Sequence, residues 1–501
     1  MVRRIASATP MVQSPMSPLG TTYCVRPNSV SMNLQRRPLV IASTDEAKVT
    51  IIYAGLLIPG DGEPLRNAAL VISDKIIAFV GSEADIPKKY LRSTQSTHRV
   101  PVLMPGLWDC HMHFGGDDDY YNDYTSGLAT HPASSGARLA RGCWEALQNG
   151  YTSYRDLAGY GCEVAKAIND GTIVGPNVYS SGAALSQTAG HGDIFALPAG
   201  EVLGSYGVMN PRPGYWGAGP LCIADGVEEV RRAVRLQIRR GAKVIKVMAS
   251  GGVMSRDDNP NFAQFSPEEL KVIVEEAARQ NRIVSAHVHG KAGIMAAIKA
   301  GCKSLEHVSY ADEEVWELMK EKGILYVATR SVIEIFLASN GEGLVKESWA
   351  KLQALADSHL KAYQGAIKAG VTIALGTDTA PGGPTALELQ FAVERGGMTP
   401  LEAIKAATAN APLSVGPQAP LTGQLREGYE ADVIALEENP LEDIKVFQEP
   451  KAVTHVWKGG KLFKGPGIVK ATRKTHISIW GAAYERQNKT CLIIKRRDNP
   501  E

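Results

Sequence analysis

The chain has 501 residues, 44% apolar and 21% charged, with 50 glycines, as in a globular protein rich in turns. It exceeds the usual single domain, although an α/β barrel runs to about 250 residues or more as one unit, and no apolar run reaches the roughly 20 residues of a membrane-crossing helix. The net charge of +2 belongs to the ends, five arginines and no acid in 1–44 and eight Lys/Arg against three acids in 467–501, so the body is acidic and gives no support to nucleic-acid binding.

Residues 1–44 are rich in Ser, Pro and Arg and are expected to be poorly ordered. They lack the compact apolar stretch of a secretory signal and come closer to a transit peptide, which leaves the compartment open. The seven cysteines are scattered, without a Cys-x-x-Cys pair, and read as reduced, mostly buried thiols.

Residues 45–103 read as a small β unit. Val49 to Ile58 and Ala69 to Val80 are strand-like, Pro59-Gly-Asp-Gly separates them, and Ser73-Asp-Lys is a hairpin turn. A matching β-rich stretch, 413–466, comes near the other end, with strands from Ala431 and Ala452 and a tight turn at Lys458-Gly-Gly-Lys. Two such flanks predict one β-sandwich built from both chain ends. Residues 467–501 form a basic tail.

Between them, residues 104–412 repeat a unit of amphipathic helix, glycine and short β-branched strand. Gly150, Gly241, Gly301, Gly323 and Gly370 fall just past predicted helix ends, where a left-handed residue is favoured. Ser266-Pro-Glu-Glu and Thr399-Pro-Leu-Glu are capping-box helix starts. Strands are predicted at 107–113, 151–156, 177–182, 243–249, 283–288, 304–308, 324–329 and 372–377. Eight strands alternating with helices predict the α/β class, a (β/α)8 TIM-type barrel. An open doubly wound sheet is the alternative, and no Gly-x-Gly-x-x-Gly turn supports it.

Catalytic groups in such a barrel sit at the C-terminal ends of strands. Strand one ends in His111-Met-His113, whose side chains share a face at strand period two. Taken alone, that pair reads equally well as two polar residues at a strand end. Lys246 lies among apolar residues on strand four, His287 and His289 end strand five, Glu306-His307 ends strand six, and Asp378 ends strand eight. Neutral imidazoles with a carboxylate suit zinc or a similar divalent ion. A lysine buried in the barrel loses solvation and becomes a neutral amine that can add CO2. The expectation is therefore a two-metal centre bridged by carboxylated Lys246, whereas snorkelling or pairing with Glu306 or Asp378 is the plainer reading of that lysine. Two such ions lower the pKa of a bound water toward neutrality, and Asp378 then takes its proton and passes it to a leaving amine. That is hydrolysis of an amide or related C–N bond.

Among weaker candidates, Arg330 at the end of strand seven could meet a substrate carboxylate, and His289 could touch the substrate carbonyl. Asp156 could support a metal ligand from behind, and the insert 183–224, with Phe195, Tyr206, Tyr215 and Trp216, could wall the substrate. His191 in that insert reads as a loop histidine.

The run Pro105-Gly-Leu-Trp-Asp-Cys-His-Met-His113, with Lys246, His287, Ser304-Leu-Glu-His307 and Gly376-Thr-Asp378, resembles the metal-dependent amidohydrolase superfamily. Within it the likeness is to carboxylated-lysine Xaa-Pro dipeptidase-like and ochratoxinase-like enzymes, and it extends to about residue 468. The resemblance implies a pyroglutamase-like β-sandwich beside the barrel, two zinc ions and a homo-oligomer, an octamer by the same likeness. It implies His111 and His113 on one ion, His287 and His307 on the other, carboxylated Lys246 between them and Asp378 on the first. The implied substrate is a small-molecule amide in which a C-terminal amino acid such as phenylalanine carries an aromatic acyl group, as in ochratoxin A, and the implied location is secreted. Other amidohydrolase chemistry, prolidase-like or on cyclic amides, is the alternative. A metal-free binding relative is disfavoured by the presence of all six ligand positions.

Overall fold

The structure is a computed structural model that describes residues 48–116, 125–209, 219–449 and 451–468. The expectations for the amino-terminal segment, for Tyr215 and Trp216, and for the basic tail beyond residue 468 fall outside the described residues.

Strands β1 (Val49–Leu57), β2 (Leu65–Ser73), β3 (Ile76–Ser82) and β4 (Thr94–Pro105) come first. Asp74, left-handed at φ 54°, turns the β2–β3 hairpin in the predicted Ser73-Asp-Lys stretch. β4 was not foreseen: its first half alternates exposed and half-buried residues, so it lacks the apolar run that signals a core strand. The barrel follows with β5 (Leu107–Phe114), β6 (Tyr151–Gly159), β7 (Asn177–Ser180), β8 (Ala184–Ser186), β9 (Leu221–Ile223), β10 (Ile245–Met248), β11 (Val284–Val288), β12 (Ser304–His307) and β13 (Leu325–Val327). Last come β14 (Val433–Leu436), β15 (Val453–Lys458) and β16 (Lys461–Lys464).

The two chain ends build one seven-stranded sheet in the order β16-β15-β14-β4-β1-β2-β3. Its junction is the antiparallel pairing of β14 with β4 from Val433↔Pro105 to Leu436↔Val102. β4 therefore leads straight from this sheet into the first barrel strand through Gly106, where an added Cβ would lie 2.2 Å from the Thr152 side chain.

The barrel is parallel throughout. β5, β6 and β7 pair in order, as do β8, β10, β11, β12 and β13. β7 and β8 are two halves of the third strand, and Lys243 N donating to Ser180 O at 2.8 Å joins the halves of the wall. Residues 372–379 close it. Tyr326↔Ile373 and Met112↔Thr379 are parallel bridges, and Cys110 N donates to Leu375 O at 2.9 Å. The eight strand positions are those predicted, and β9 is an extra strand beside β8.

Helices end and start where the caps indicated. Both capping boxes form, at Ser266/Glu269 and Thr399/Glu402, and Gly241 and Gly301 close their helices at φ 117° and 100°. The five cysteines among the described residues are free and buried. No helix among the described residues is long and apolar enough to cross a membrane.

Candidate metal centre and substrate chamber

The six predicted ligand positions converge at the C-terminal mouth of the barrel. His111, His113, Lys246, His287, His307 and Asp378 all line one pocket, together with His289, His191 and Thr329. The imidazoles form a continuous cluster: ring centroids lie 5.2 Å apart for His111–His113, 5.0 Å for His111–His307 and 4.6 Å for His287–His307. His289 lies 4.7 Å from His287 and 5.0 Å from His307.

The backbone is bent to bring them there. His307, Val308, Thr329 and Asp378 are non-glycine residues at φ 70°, 49°, 56° and 60°. Such conformations cost about 1–3 kcal/mol each and persist where surrounding structure holds them, commonly at active sites. Asp378 is held by its own N–H, which donates to His111 O at 2.7 Å.

Hydrogen bonds select which ring nitrogen faces the pocket. His111 Nδ1 meets Glu306 Oε2 at 2.9 Å and His307 Nδ1 meets Thr329 Oγ1 at 2.8 Å, which leaves both Nε2 atoms for a ligand. In His287 it is Nε2 that faces Gly251 O, at 3.3 Å, which leaves Nδ1. Asp378 Oδ1 lies 2.8 Å from His113 Nε2 and 3.6 Å from His111 Nε2.

Charge follows burial. Desolvation, reinforced by the Lys246 charge, lowers His111 to about 4. Burial and the neighbouring imidazoles hold His287 and His307 well below the usual histidine range. These rings are neutral and able to ligate. Lys246 is buried and lowered to about 8 by desolvation, against the opposing pull of Glu306 and Asp378. Burial pushes the Asp378 carboxyl up, but the His111 and His113 rings and Lys246 outweigh it and hold it at about 2. One donor atom each from His111, His307 and Asp378 lies within 4.8 Å of the others. A neutral imidazole set with one carboxylate fits zinc or a similar borderline divalent ion.

Glu306 is fully buried and underpins the cluster. It accepts from both Arg155 Nη2 contacts at 2.9 and 2.8 Å, from Ser285 Oγ at 2.7 Å and from Ser304 Oγ at 2.6 Å. Burial pushes its carboxyl up, and Arg155 and His111 more than reverse this, so it stays ionised. Arg155, which the sequence analysis did not single out, is fully buried and also donates to Cys110 O, on the residue just before His111.

Three expectations are corrected. Arg330 does not reach the pocket. Its guanidinium donates to Glu334 Oε1 at 2.9 and 2.6 Å and to Ala356 O at 2.8 Å. Asp156 supports no ligand side chain: it accepts from the backbone N–H of Phe114, Ala158 and Gly161 and from Ser180 Oγ, fixing a strand end. The aromatics expected to wall the substrate do not line the pocket among the described residues, because Tyr206 packs into a separate core with Ile194 and Val202.

The wall instead comes from Val253 and Met254 after strand four, Val332, Ile333 and Phe336 on the helix Arg330–Ala338, and Leu352 and Leu355 on the helix Lys346–Ala369. The insert contributes His191, which stacks on His287 at 4.2 Å with the ring planes 22° apart. The chamber is apolar on one side and rich in nitrogen donors on the other.

Such a site at the C-terminal face of a closed parallel barrel is that of a metal-dependent hydrolase, and the comparisons place it. Residues 102–463 match the model of the amidohydrolase family, and the chain belongs to that family. It is an enzyme acting on amide C–N bonds. It is similar to the crystal structure of A. niger ochratoxinase, with 99% identity, TM-score 0.82 and coverage of 85% of this chain and 98% of that one. It is similar to a prolidase crystallised with N-methylphosphonate-L-proline, at 31% identity, TM-score 0.74 and coverage of 83% and 100%. Among curated proteins it is 26% identical over 422 residues to imidazolonepropionase of Rhodococcus jostii, covering 79% of this chain and 89% of that one.

Proposed function

We propose that the protein hydrolyses the amide joining a C-terminal amino acid, aromatic in preference, to an N-acyl group, with ochratoxin-type amides as substrates. The observation that carries this reading is the direct opening of the donor cluster onto the apolar chamber of Val253, Ile333, Phe336 and Leu355. An aromatic amide gains burial there while its carbonyl lies against the histidines, each fully buried large apolar group contributing about 1.5–3 kcal/mol. The likeness to A. niger ochratoxinase supports the choice of amide.

His111, His113 and Asp378 would hold one divalent ion and His287 and His307 a second, with Lys246 as its carbamate between them. Ions bound there supply an activated water and polarise the amide carbonyl. Asp378, ionised and partly open to the pocket, takes a proton from the attacking water as oxygen adds to the carbonyl carbon. It then delivers that proton to the amide nitrogen as the C–N bond breaks, leaving a carboxylic acid and a free amine. His289, whose Nδ1 is tied to Ser309 Oγ at 2.7 Å, presents its other edge toward the carbonyl.

The test compares phenylalanine release from N-acyl-phenylalanine, proline release from an Xaa-Pro dipeptide and ring opening of a cyclic imide. Phenylalanine release is expected to exceed the other two, and to fall about 10²–10⁴-fold in Asp378→Asn. Preference for the Xaa-Pro dipeptide would favour the prolidase-like alternative.

A further inference from the structure

The segment 251–258 carries Val253 and Met254 into the chamber, yet it belongs to no regular element, and the isolated bridge Ser250↔Ala263 lies outside it. Its shape is held from outside. Lys351, on the helix Lys346–Ala369, sends its ammonium into this segment. Nζ donates to Gly252 O at 3.0 Å, Ser255 O at 2.8 Å and Asp258 Oδ1 at 2.8 Å, so all three of its donors are spent on one loop.

Asp258 continues the connection. Its side chain is buried, it accepts from Gly252 N at 2.8 Å and from Ser255 Oγ, and Ser255 Oγ meets His191 Nδ1 at 2.8 Å. His191 is the ring stacked on His287. The loop also lies flush on that ring: a Cβ on Gly252 would fall 2.1 Å from its Cε1. Ser348, one turn before Leu352, adds a bond from Oγ to Met254 O at 3.2 Å. Two chamber-wall leucines, Leu352 and Leu355, stand on the helix that bears the lysine.

We propose that Lys351 is a positioning residue for substrate preference, clamping the 251–258 loop so that Val253 and Met254 complete the apolar wall. It acts through the loop and touches neither substrate nor metal ligands. The energetic reason is direct. A loop without ladder bonds pays backbone entropy at every residue to stay in one shape. Three charge-assisted bonds from a partly buried lysine offset that cost. Loosening the clamp frees the wall while the barrel strands bearing the ligands keep their own ladders.

This inference rests on the functional reading above, and the test separates the two. Wild-type protein, Lys351→Met and Lys351→Arg are assayed on N-acyl-phenylalanine and on the N-acyl-alanine with the same acyl group. Lys351→Met is expected to raise KM for the phenylalanine amide about tenfold, with kcat on both amides changed less than twofold and KM for the alanine amide changed less than threefold. Lys351→Arg recovers most of the loss. Amide exchange at Gly252–Asp258 rises in Lys351→Met and not at the strand ends. If Lys351→Met does not fold, Ser255→Ala, which cuts the link to His191, is expected to give the same KM-selective change at about threefold. Wild-type protein cleaving the phenylalanine amide while neither variant changes the KM ratio would overturn the role of Lys351 alone. An equal loss on both amides would also overturn it. Wild-type protein cleaving neither amide would overturn the functional reading and this inference with it.

Discussion

His111 Nδ1 lies 2.9 Å from Glu306 Oε2, with both side chains buried and Arg155 Nη2 donating to both oxygens of the same carboxylate. Strand one is thereby tied to strand six beneath the pocket, and the His111 ring keeps its Nε2 toward the cluster. Replacing Glu306 with Gln removes the charge facing Arg155. Breaking a buried pair in this way costs about 3–5 kcal/mol, and loss of a carboxylate behind a ligating histidine lowers metal affinity about 10–100-fold. Thermal unfolding and zinc competition check this. A variant with wild-type zinc affinity would show that Glu306 does not orient the ring.

Lys246 combines full burial with a pKa drawn down to about 8 by desolvation. Its amine is therefore substantially uncharged in mildly basic solution, the state that adds CO2. Zinc uptake by metal-free protein is expected to speed up with bicarbonate and with rising pH between 7 and 9, and intact mass under gentle conditions should show one added CO2. Lys246→Ala should lose both the bicarbonate effect and tight binding of a second ion. Full activity with two ions in that variant would contradict a bridging carbamate.

The buried rings make a pH prediction. Desolvation sets His111 and His191 at about 4 and drives His287, His289 and His307 well down. In these groups the charged form is disfavoured in the folded state. As pH falls below about 6.5 the unfolded chain takes up protons that the native rings refuse, so their contribution to stability is lost toward acid and not toward base. Imidazole nitrogen resonances of metal-free protein at pH 5.5 should show these five rings neutral. Protonation with midpoints near 6.5 would mean that the cluster is solvated.

Thr329 is a β-branched residue at φ 56°, and Glu388 is what holds the turn behind it. The Glu388 carboxyl accepts from Arg330 N at 2.9 Å and from Ser331 N at 2.7 Å, at the start of the helix that walls the chamber. Glu388→Ala leaves two buried N–H groups without acceptors, at roughly 1–3 kcal/mol each. A loss of unfolding free energy of that size is expected from denaturant titration, with weaker zinc binding because Thr329 orients His307. Unchanged stability would show that the turn is held elsewhere.

Much of this site was legible in the sequence for a simple reason. Strand period and strand ends are local, so His111, His113, Lys246, His287, His307 and Asp378 could be placed before any contact was known. The helix ends at Gly241 and Gly301 were legible for the same reason. What escaped was set by tertiary contacts. Arg155 meets Glu306 from 151 residues away, and His191 reaches His287 out of a glycine-rich insert with no period. The chamber wall stands on helices whose apolar faces look like any barrel helix, because nothing local marks Phe336 or Leu355 as facing a pocket. Arg330 looked free at a strand end because its partner Glu334 lies one turn on, in a helix whose start was not predicted.

The most direct measurement is phenylalanine release from an N-acyl-phenylalanine, with metal content determined on the same samples before chelation, after it, and after zinc is restored. The account predicts that activity falls with bound metal to below about one part in a hundred and returns with it. Undiminished hydrolysis by protein shown to be free of metal would contradict the account.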